Sequence, residues 1–267
     1  ILSVHRDAIG RLLSIEALGD KSSNIVEESL IYCEITEMVT PESVALVNAH
    51  LPEILSEVRL ATSDWAPMRQ RIQSAIDDVE KSKYSGDRSR AEEVKLFLDW
   101  MKDDHFTFLG YCKYEFYGEN GRLLRTPDAQ DPLGILKDEE QRQLNHIFKG
   151  IGYSQATRRL ILKPSPLIIN KTTQLSHVHR AVPMDVIGIR CVNDKGDVVG
   201  MHMFLGLFTS VAYDSSSRDI PYLRRKVDKV LESAGLSPIW HDGKILLHVL
   251  DSLPRDELFH ASITELT

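Results

Sequence analysis

The sequence predicts an α+β chain built on antiparallel sheet, and three observations carry that reading. Met184 to Val192 and Val198 to Thr209 are the two longest strand-like runs, joined by Asn193-Asp194-Lys195-Gly196-Asp197, a strong hairpin signal. Met68, Ile72, Ala75, Ile76 and Val79 recur at helical spacing, as do Val94, Phe97, Leu98 and Met101. Near the start, Ile1–His5 and Arg11–Ile15 flank the turn-like Asp7-Ala8-Ile9-Gly10, a second hairpin.

Composition narrows the class. The 267 residues are 42% hydrophobic and 27% charged, as in ordinary globular proteins, and the length suits about two domains. A net charge of -7 argues against a strongly basic nucleic-acid binder. Cys33, Cys112 and Cys191 are far apart and odd in number, which suits a reducing compartment and excludes a disulfide framework or a Cys-rich zinc knuckle. The chain opens on an apolar run, Ile1-Leu2-Ser3-Val4, without a basic leader, and reads as a piece of a longer protein. Met201 to Tyr213 is too short to span a membrane. A cytoplasmic location with no membrane partner is the expectation.

In chain order, Leu18 to Glu28 reads as loop and Ser29 to Ile35 as a strand. Thr40 caps a helix that has Pro41 at its first position, where a missing N–H costs nothing. Val44, Val47 and Leu51 mark its apolar face, Pro52 kinks or restarts it, and Glu57–Thr62 returns as a strand. A second unit starts near Ser63, and Lys81 to Arg88 is the best linker. Ser89 and Glu92 make a capping-box pattern for the next helix. Phe106 to Phe116 is a strand, turning at Gly118-Glu119-Asn120-Gly121 into Arg122–Leu124. Asp138 to Phe148 reads as a short helix, and Leu160–Leu162 and Leu167–Ile169 as short strands broken by Pro164 and Pro166. After the long hairpin, Asp219 caps a helix with Ile220, Leu223, Val227, Val230, Leu231 and Ala234 on one face, ended by Gly235. A last helix carries Ile245, Leu246, Val249 and Leu250, and Pro254 restarts the chain toward Leu258.

Missing motifs restrict the chemistry. A dinucleotide fold needs a Gly-rich turn that lets backbone N–H groups meet a pyrophosphate at a helix N-terminus. The nearest match, Gly150-Ile151-Gly152, lacks the third glycine and follows a predicted helix. There is no Walker A loop, no H-E-x-x-H, no G-x-S-x-G and no C-x-x-C.

Three polar clusters remain. Asp103-Asp104-His105 sits at a helix-to-strand junction; it reads as an acid/base pair or, more plainly, as a solvated turn between Trp100 and Phe106. His177-Val178-His179-Arg180, with Lys171 and Asp185, offers three readings: exposed polar or interface residues, an anion site through Arg180 and Lys171, or a metal site if strand alternation puts both histidines on one face. Arg218, Arg224, Arg225, Lys226 and Lys229 surround the capped helix; they suit an acidic surface on another subunit or simply a solvated helix face.

Four stretches together are more specific. They are Phe97 to Tyr111; Ser176–Arg180 with Met184–Gly188; Phe204–Ser210 followed by Ile220–Val227; and His241-Asp242-Gly243-Lys244 with Pro254–Phe259. The chain resembles the N-terminal region of the large bacterial NAD-specific glutamate dehydrogenases, over essentially its whole length and most strongly from Ala91 onward. The resemblance implies ACT-like and PAS-like modules ahead of a distant catalytic domain. On that basis residues 1–62 are a partial ACT-like (ferredoxin-like) unit and 63–90 a helix and linker. Residues 91–216 are then a PAS-like antiparallel sheet with flanking helices, and 217–267 are helices leading to the next module. The implied reaction is oxidative deamination of L-glutamate to 2-oxoglutarate and ammonia with NAD, whose catalytic residues and nucleotide loop fall on no residue of this chain.

The expectation is thus a non-catalytic part of that enzyme, serving oligomer assembly or allosteric regulation, with no cofactor of its own. Its partners are other domains and subunits of a homo-oligomer. The rival is a sensing module with a pocket for an amino-acid effector. A further rival is a metal-dependent enzyme through His177 and His179. No catalytic, cofactor or metal residue is assigned; Lys171, His177, His179, Arg180 and Asp185 form the ligand or interface cluster.

Overall fold

A computed structural model describes residues 2–7, 11–16, 25–34, 40–82, 88–116, 118–119, 122–123, 129–138 and 166–267. The chain divides into two compact units, Ile1–His50 and Leu51–Thr267.

In the first unit, β1 (Leu2–Arg6) lies between β2 (Leu12–Glu16) and β3 (Ile25–Glu28), all antiparallel. Val4 faces Ile15 on one side and Val26 on the other, so three β-branched residues share one row. Arg6 forks onto Glu28, with Nε to Oε1 at 2.5 Å and Nη2 to Oε2 at 2.6 Å. The expected hairpin is present. The predicted loop at Leu18–Glu28 is corrected at its end, because Ile25–Glu28 pairs with the free edge of β1 and satisfies its N–H and C=O groups. The predicted strand from Ser29 is also corrected. Residues 29–34 belong to no strand, and Leu30, Ile31 and Tyr32 are 82%, 77% and 83% exposed. High β-propensity acts only on a pleated, half-buried surface, which this run does not have.

Helix α1 (Pro41–Ser63) opens as expected: the Thr40 Oγ1 accepts from the Ser43 N–H at 3.3 Å. It then runs through Pro52 to Ser63, so Glu57–Thr62 is helix and not a returning strand. A proline removes one hydrogen bond, and the turns on either side carry the helix across. Val58 and Ala61 pack onto the core of the second unit. The predicted apolar face is not buried: Val44, Val47 and Leu51 are 45%, 47% and 50% exposed.

Among the described residues the main sheet of the second unit has five antiparallel strands, β4 (Phe106–Glu115), β7 (Ala129–Gly134), β8 (Leu167–Leu175), β9 (Pro183–Val192) and β10 (Val198–Phe208). Their spatial order is β7-β4-β10-β9-β8, so the first and last strands of the unit lie side by side in the middle. A separate two-stranded ribbon joins β5 (Gly118–Glu119) to β6 (Arg122–Leu123). The β9–β10 hairpin is internal, as its sequence predicts, with Ile187 opposite Phe204.

Both faces of this sheet are covered. On one, Tyr111, Ile187, Ile189 and Phe204 join a core with α2 (Trp65–Lys81) and α3 (Arg88–Trp100). Met68, Ile72, Ala75 and Val79 of α2 and Val94, Phe97 and Leu98 of α3 are at most 1% exposed, as the helical spacing predicts. On the other face, Leu109, Met203, Leu205 and Leu207 pack with Ile135 and Leu136. Helix α3 starts at Arg88, so Ser89 lies inside its first turn and not before it.

Short helices follow: α4 (Ser210–Asp214), α5 (Leu223–Ser233), α6 (His241–Ser252), α7 (Arg255–His260) and α8 (Ile263–Leu266). Helix α5 begins four residues after the predicted cap Asp219. Pro221 disfavours helical backbone at Ile220, so the chain turns first and buries Ile220 outside the helix. Its end is as predicted. Gly235 has φ +67°, the Leu236 N–H reaches the Leu231 carbonyl at 2.9 Å, and the Gly235 N–H reaches Glu232 at 3.0 Å. That is the paired closure of a Schellman motif. In α6, Leu250 is buried while Ile245 and Val249 are half exposed. Ser262 and Glu265 form a capping box on α8. Outside the described residues lie most of the predicted 81–88 linker, the 138–148 helix beyond Asp138, the strand at 160–162 and Gly150-Ile151-Gly152.

Candidate functional site

Lys171 on β8, Asp185 on β9 and Arg180 in the intervening bend surround one cavity of about 360 Å³, with Leu207, Tyr213 and Glu257. Register explains the first pair: Lys171 is directly opposite Asp185, and its Nζ lies 3.0 Å from Asp185 Oδ1. The Asp185 side chain is 2% exposed and that of Lys171 25%, so the carboxylate end of this ion pair is buried while the ammonium end reaches water. Asp185 Oδ2 accepts from the Phe208 N–H at 3.1 Å, while Arg180 Nη2 donates to the Phe208 carbonyl at 2.7 Å. Two side chains thus hold both backbone groups of the last residue of β10. The Arg180 guanidinium also lies 5.8 Å from the centre of the Tyr213 ring.

The two histidines do not join this cavity. Residues 177–182 form bends, not a strand, and His179 has φ +69°, so the alternation that would put both histidines on one face is corrected. Ser176 drives the bend: its Oγ donates to the Val178 carbonyl at 2.7 Å and accepts from the Val178 N–H at 3.1 Å. His177 instead approaches Glu57, with Nδ1 3.3 Å from Oε2, and His179 is exposed.

Asp103 and Asp104 are exposed in a tight turn, Met101–His105, where Asp104 takes φ +57°. His105 stacks on Trp100 at 4.4 Å and bonds its carbonyl through Nδ1 at 2.9 Å. The Thr209 Oγ1 donates to the Asp104 carbonyl at 3.0 Å, which ties this turn to the end of β10. The basic residues around α5 diverge in role. Arg224 grips Glu93, with Nη2 to Oε1 at 2.6 Å, and the Tyr222 N–H donates to Glu93 Oε2 at 2.9 Å. Lys226 Nζ donates to the Leu258 and Phe259 carbonyls at 2.7 and 3.0 Å, and Arg218 lies 3.8 Å from Asp228.

The sequence reading missed a third group. Asp78 on α2 leans over three neighbouring strands. Its Oδ2 lies 2.9 Å from His202 Nε2, 3.0 Å from Lys113 Nζ and 3.7 Å from Cys191 Sγ. On its other side, His202 Nδ1 lies 2.8 Å from the Tyr111 hydroxyl. With Nε2–H donating to Asp78, Nδ1 accepts from Tyr111 and the ring is satisfied while neutral. Burial lowers the His202 pKa against the pull of Asp78, and burial pushes the Cys191 thiol up to about 12. Burial alone would raise the Asp78 carboxyl, but His202 and Lys113 hold it below its usual value. The one-dimensional signal was slight: His202 is a lone polar residue in an apolar strand, Met201 to Phe208.

Fold and clusters together define an α+β module in which many of the charged groups brace the module's own strands and helices. Compared with known proteins, the whole chain is 34% identical over 267 residues to the NAD-specific glutamate dehydrogenase of Halomonas elongata, and 34% identical over 271 residues to that of Pseudomonas aeruginosa. It is 27% identical over 274 residues to that of Mycobacterium tuberculosis. Residues 220–267 match the family model "Glutamate dehydrogenase, helical motif 1". The chain is therefore homologous, over its full length, to one segment of the large NAD-specific glutamate dehydrogenases. It spans 16% of the length of the first two relatives.

Among the described residues every strand pair is antiparallel, and no strand passes through a Gly-x-Gly turn into a helix. Among the described residues no helix is long and apolar enough to cross a membrane.

Proposed function

We propose that this chain is a non-catalytic part of an NAD-dependent glutamate dehydrogenase, an enzyme converting L-glutamate to 2-oxoglutarate and ammonia, and that it serves oligomer assembly or allosteric regulation. The observation that carries this reading is the match of the entire chain to 16% of enzymes named for that activity. The nucleotide and the chemistry then belong to other parts of the parent protein, and the partners of this part are domains and subunits of the same homo-oligomer. The antiparallel sheet with both faces packed supports a structural or regulatory role. So does the strand order, which counted within the unit runs 2-1-5-4-3 and favours a PAS-like reading of residues 91–216. The hairpin followed by a helix in residues 1–62 favours a partial ACT-like unit. The helical motif match over 220–267 favours helices that lead to a further module.

A second reading, an amino-acid sensing module, is favoured by the cavity at Arg180. Its wall carries Lys171 and Arg180 against Asp185 and Glu257, two cations and two carboxylates, which complement a zwitterion. Arg180→Ala in the full-length enzyme separates the two. On the first reading oligomer mass by light scattering falls while turnover at saturating glutamate and NAD is retained. On the second, mass is unchanged and calorimetry loses a binding signal for one member of an amino-acid panel. Unchanged mass, binding and effector response remove both roles from this cluster. Glutamate oxidation by the purified chain itself would overturn the non-catalytic reading.

A further inference from the structure

We propose that the pocket between α3, α5 and α8 is a binding site for a small, multiply charged anion bearing carboxylate or phosphate groups. The pocket has a volume of about 340 Å³, at the small end of the ligand-sized range. Four cationic side chains line it: Arg90 from α3, and Arg225, Lys226 and Lys229 from α5. Among the described lining residues the one carboxylate is Glu93, already held from outside by Arg224 and by the Tyr222 N–H, while Glu265 of α8 acts on Lys226 from beside the pocket. Burial alone would raise the Glu93 carboxyl, yet these partners hold it low and ionised.

The charge pattern is unusual for this chain. Its net charge is -7, but this concavity is positive. A recess of one sign with low-dielectric walls focuses its field and concentrates counter-ions of the opposite sign. A solvated helix face would spread its cations into water. Here Arg225 and Lys229, four residues apart, share a face of α5 and meet Arg90 from another helix across the same recess. Like charges at that spacing repel, a cost that a bound anion removes.

Specific contacts brace the frame. Tyr222 adopts φ +67°, a conformation unusual for a residue with a side chain, and its ring packs 6.3 Å from Phe97 in the core. Lys226 ties the end of α7 to α5 through the Leu258 and Phe259 carbonyls. Burial pushes its ammonium down to about 8, so an anion beside it would favour the charged form. Two guanidinium forks suit planar, bidentate recognition of carboxylate or phosphate oxygens, and Lys229 adds a point charge at the rim. A ligand held there would link α3 to the helices of residues 220–267. Binding is measured on this chain directly, so its outcome is separate from the assembly or regulatory role proposed above.

The test is titration calorimetry of the whole chain with inorganic phosphate, pyrophosphate and citrate, each against sodium chloride at matched ionic strength. The expected result is saturable binding of at least one probe with a stoichiometry of one. Pyrophosphate binding tighter than citrate assigns a phosphate ligand, and the reverse assigns a polycarboxylate. Arg90→Gln and Lys229→Gln, both at exposed positions, are each expected to weaken binding about fivefold or more, and the double variant to abolish it. Lys195→Gln, in the exposed β9–β10 turn, is expected to change nothing. No binding above matched chloride, or binding that survives the double variant, overturns the proposal.

Discussion

His202 Nε2 lies 2.9 Å from Asp78 Oδ2, although 124 residues separate the two in the chain. The contact ties α2 to the middle strand of the sheet, and His202 is 1% exposed. It makes stability depend on pH. Burial lowers the imidazole pKa in the folded chain, so the unfolded chain takes up a proton first as pH falls below about 6.5. That contribution is complete above the unfolded value and is lost as pH falls through the folded one. Asp78 acts in the same direction below about pH 4, because its folded pKa is also depressed. Chemical denaturation at a series of pH values from about 7.5 to 5 is expected to show falling stability. His202→Gln is expected to flatten that slope and to cost about 2 kcal/mol at neutral pH, since Tyr111 and Asp78 lose a buried partner.

Ile187 is fully buried in β9 opposite Phe204. Ile187→Asp places a carboxylate between two packed layers with no partner. The expected loss is several kcal/mol, on the order of 4 or more, seen as an absent or strongly lowered cooperative urea transition. An unchanged midpoint would contradict the central placement of this strand.

Lys171 and Asp185 form a test of pairing at a buried carboxylate. Lys171→Met removes the ammonium that faces the buried Asp185 carboxylate and is expected to cost about 3 kcal/mol. Asp185→Asn removes the charge. The double variant is therefore expected to be more stable than the sum of the two single losses predicts, by about 1 kcal/mol or more in a double-mutant cycle. Simple additivity would show that the pair does not couple.

Gly235 closes α5 with φ +67°, and a Cβ there would meet nothing within 4 Å. Gly235→Ala thus isolates backbone strain from steric clash. A loss of about 1 kcal/mol in thermal or urea unfolding is expected, with the native fold retained.

Much of the local structure was legible in one dimension. The stripes of α2 and α3, the β9–β10 hairpin, the Thr40-Pro41 start and the Gly235 stop all follow from periodicity, capping and turn chemistry, which act over a few residues. The errors arose where a distant partner decides. Ser29 onward has strand residues but no surface to pair with, Ile25–Glu28 became a strand because β1 had a free edge, and Glu57–Thr62 stayed in α1, where Val58 and Ala61 pack on the core, and did not return as a strand.

The candidate sites divide in the same way. Lys171, Arg180 and Asp185 stood out as charged residues near a predicted hairpin, and strand register brings them to one cavity. His177 and His179 stood out equally, yet the Ser176 bend turns them away from it. Asp78, Lys113, Cys191 and His202 come from one helix and three strands, and no spacing along the chain joins them. By itself the sequence determined the class of fold, its helical stripes, its long hairpin and its kinship. Which polar groups meet was decided only in three dimensions, because hydrogen bonds and ion pairs act over about 3 Å in space and take no account of distance along the chain.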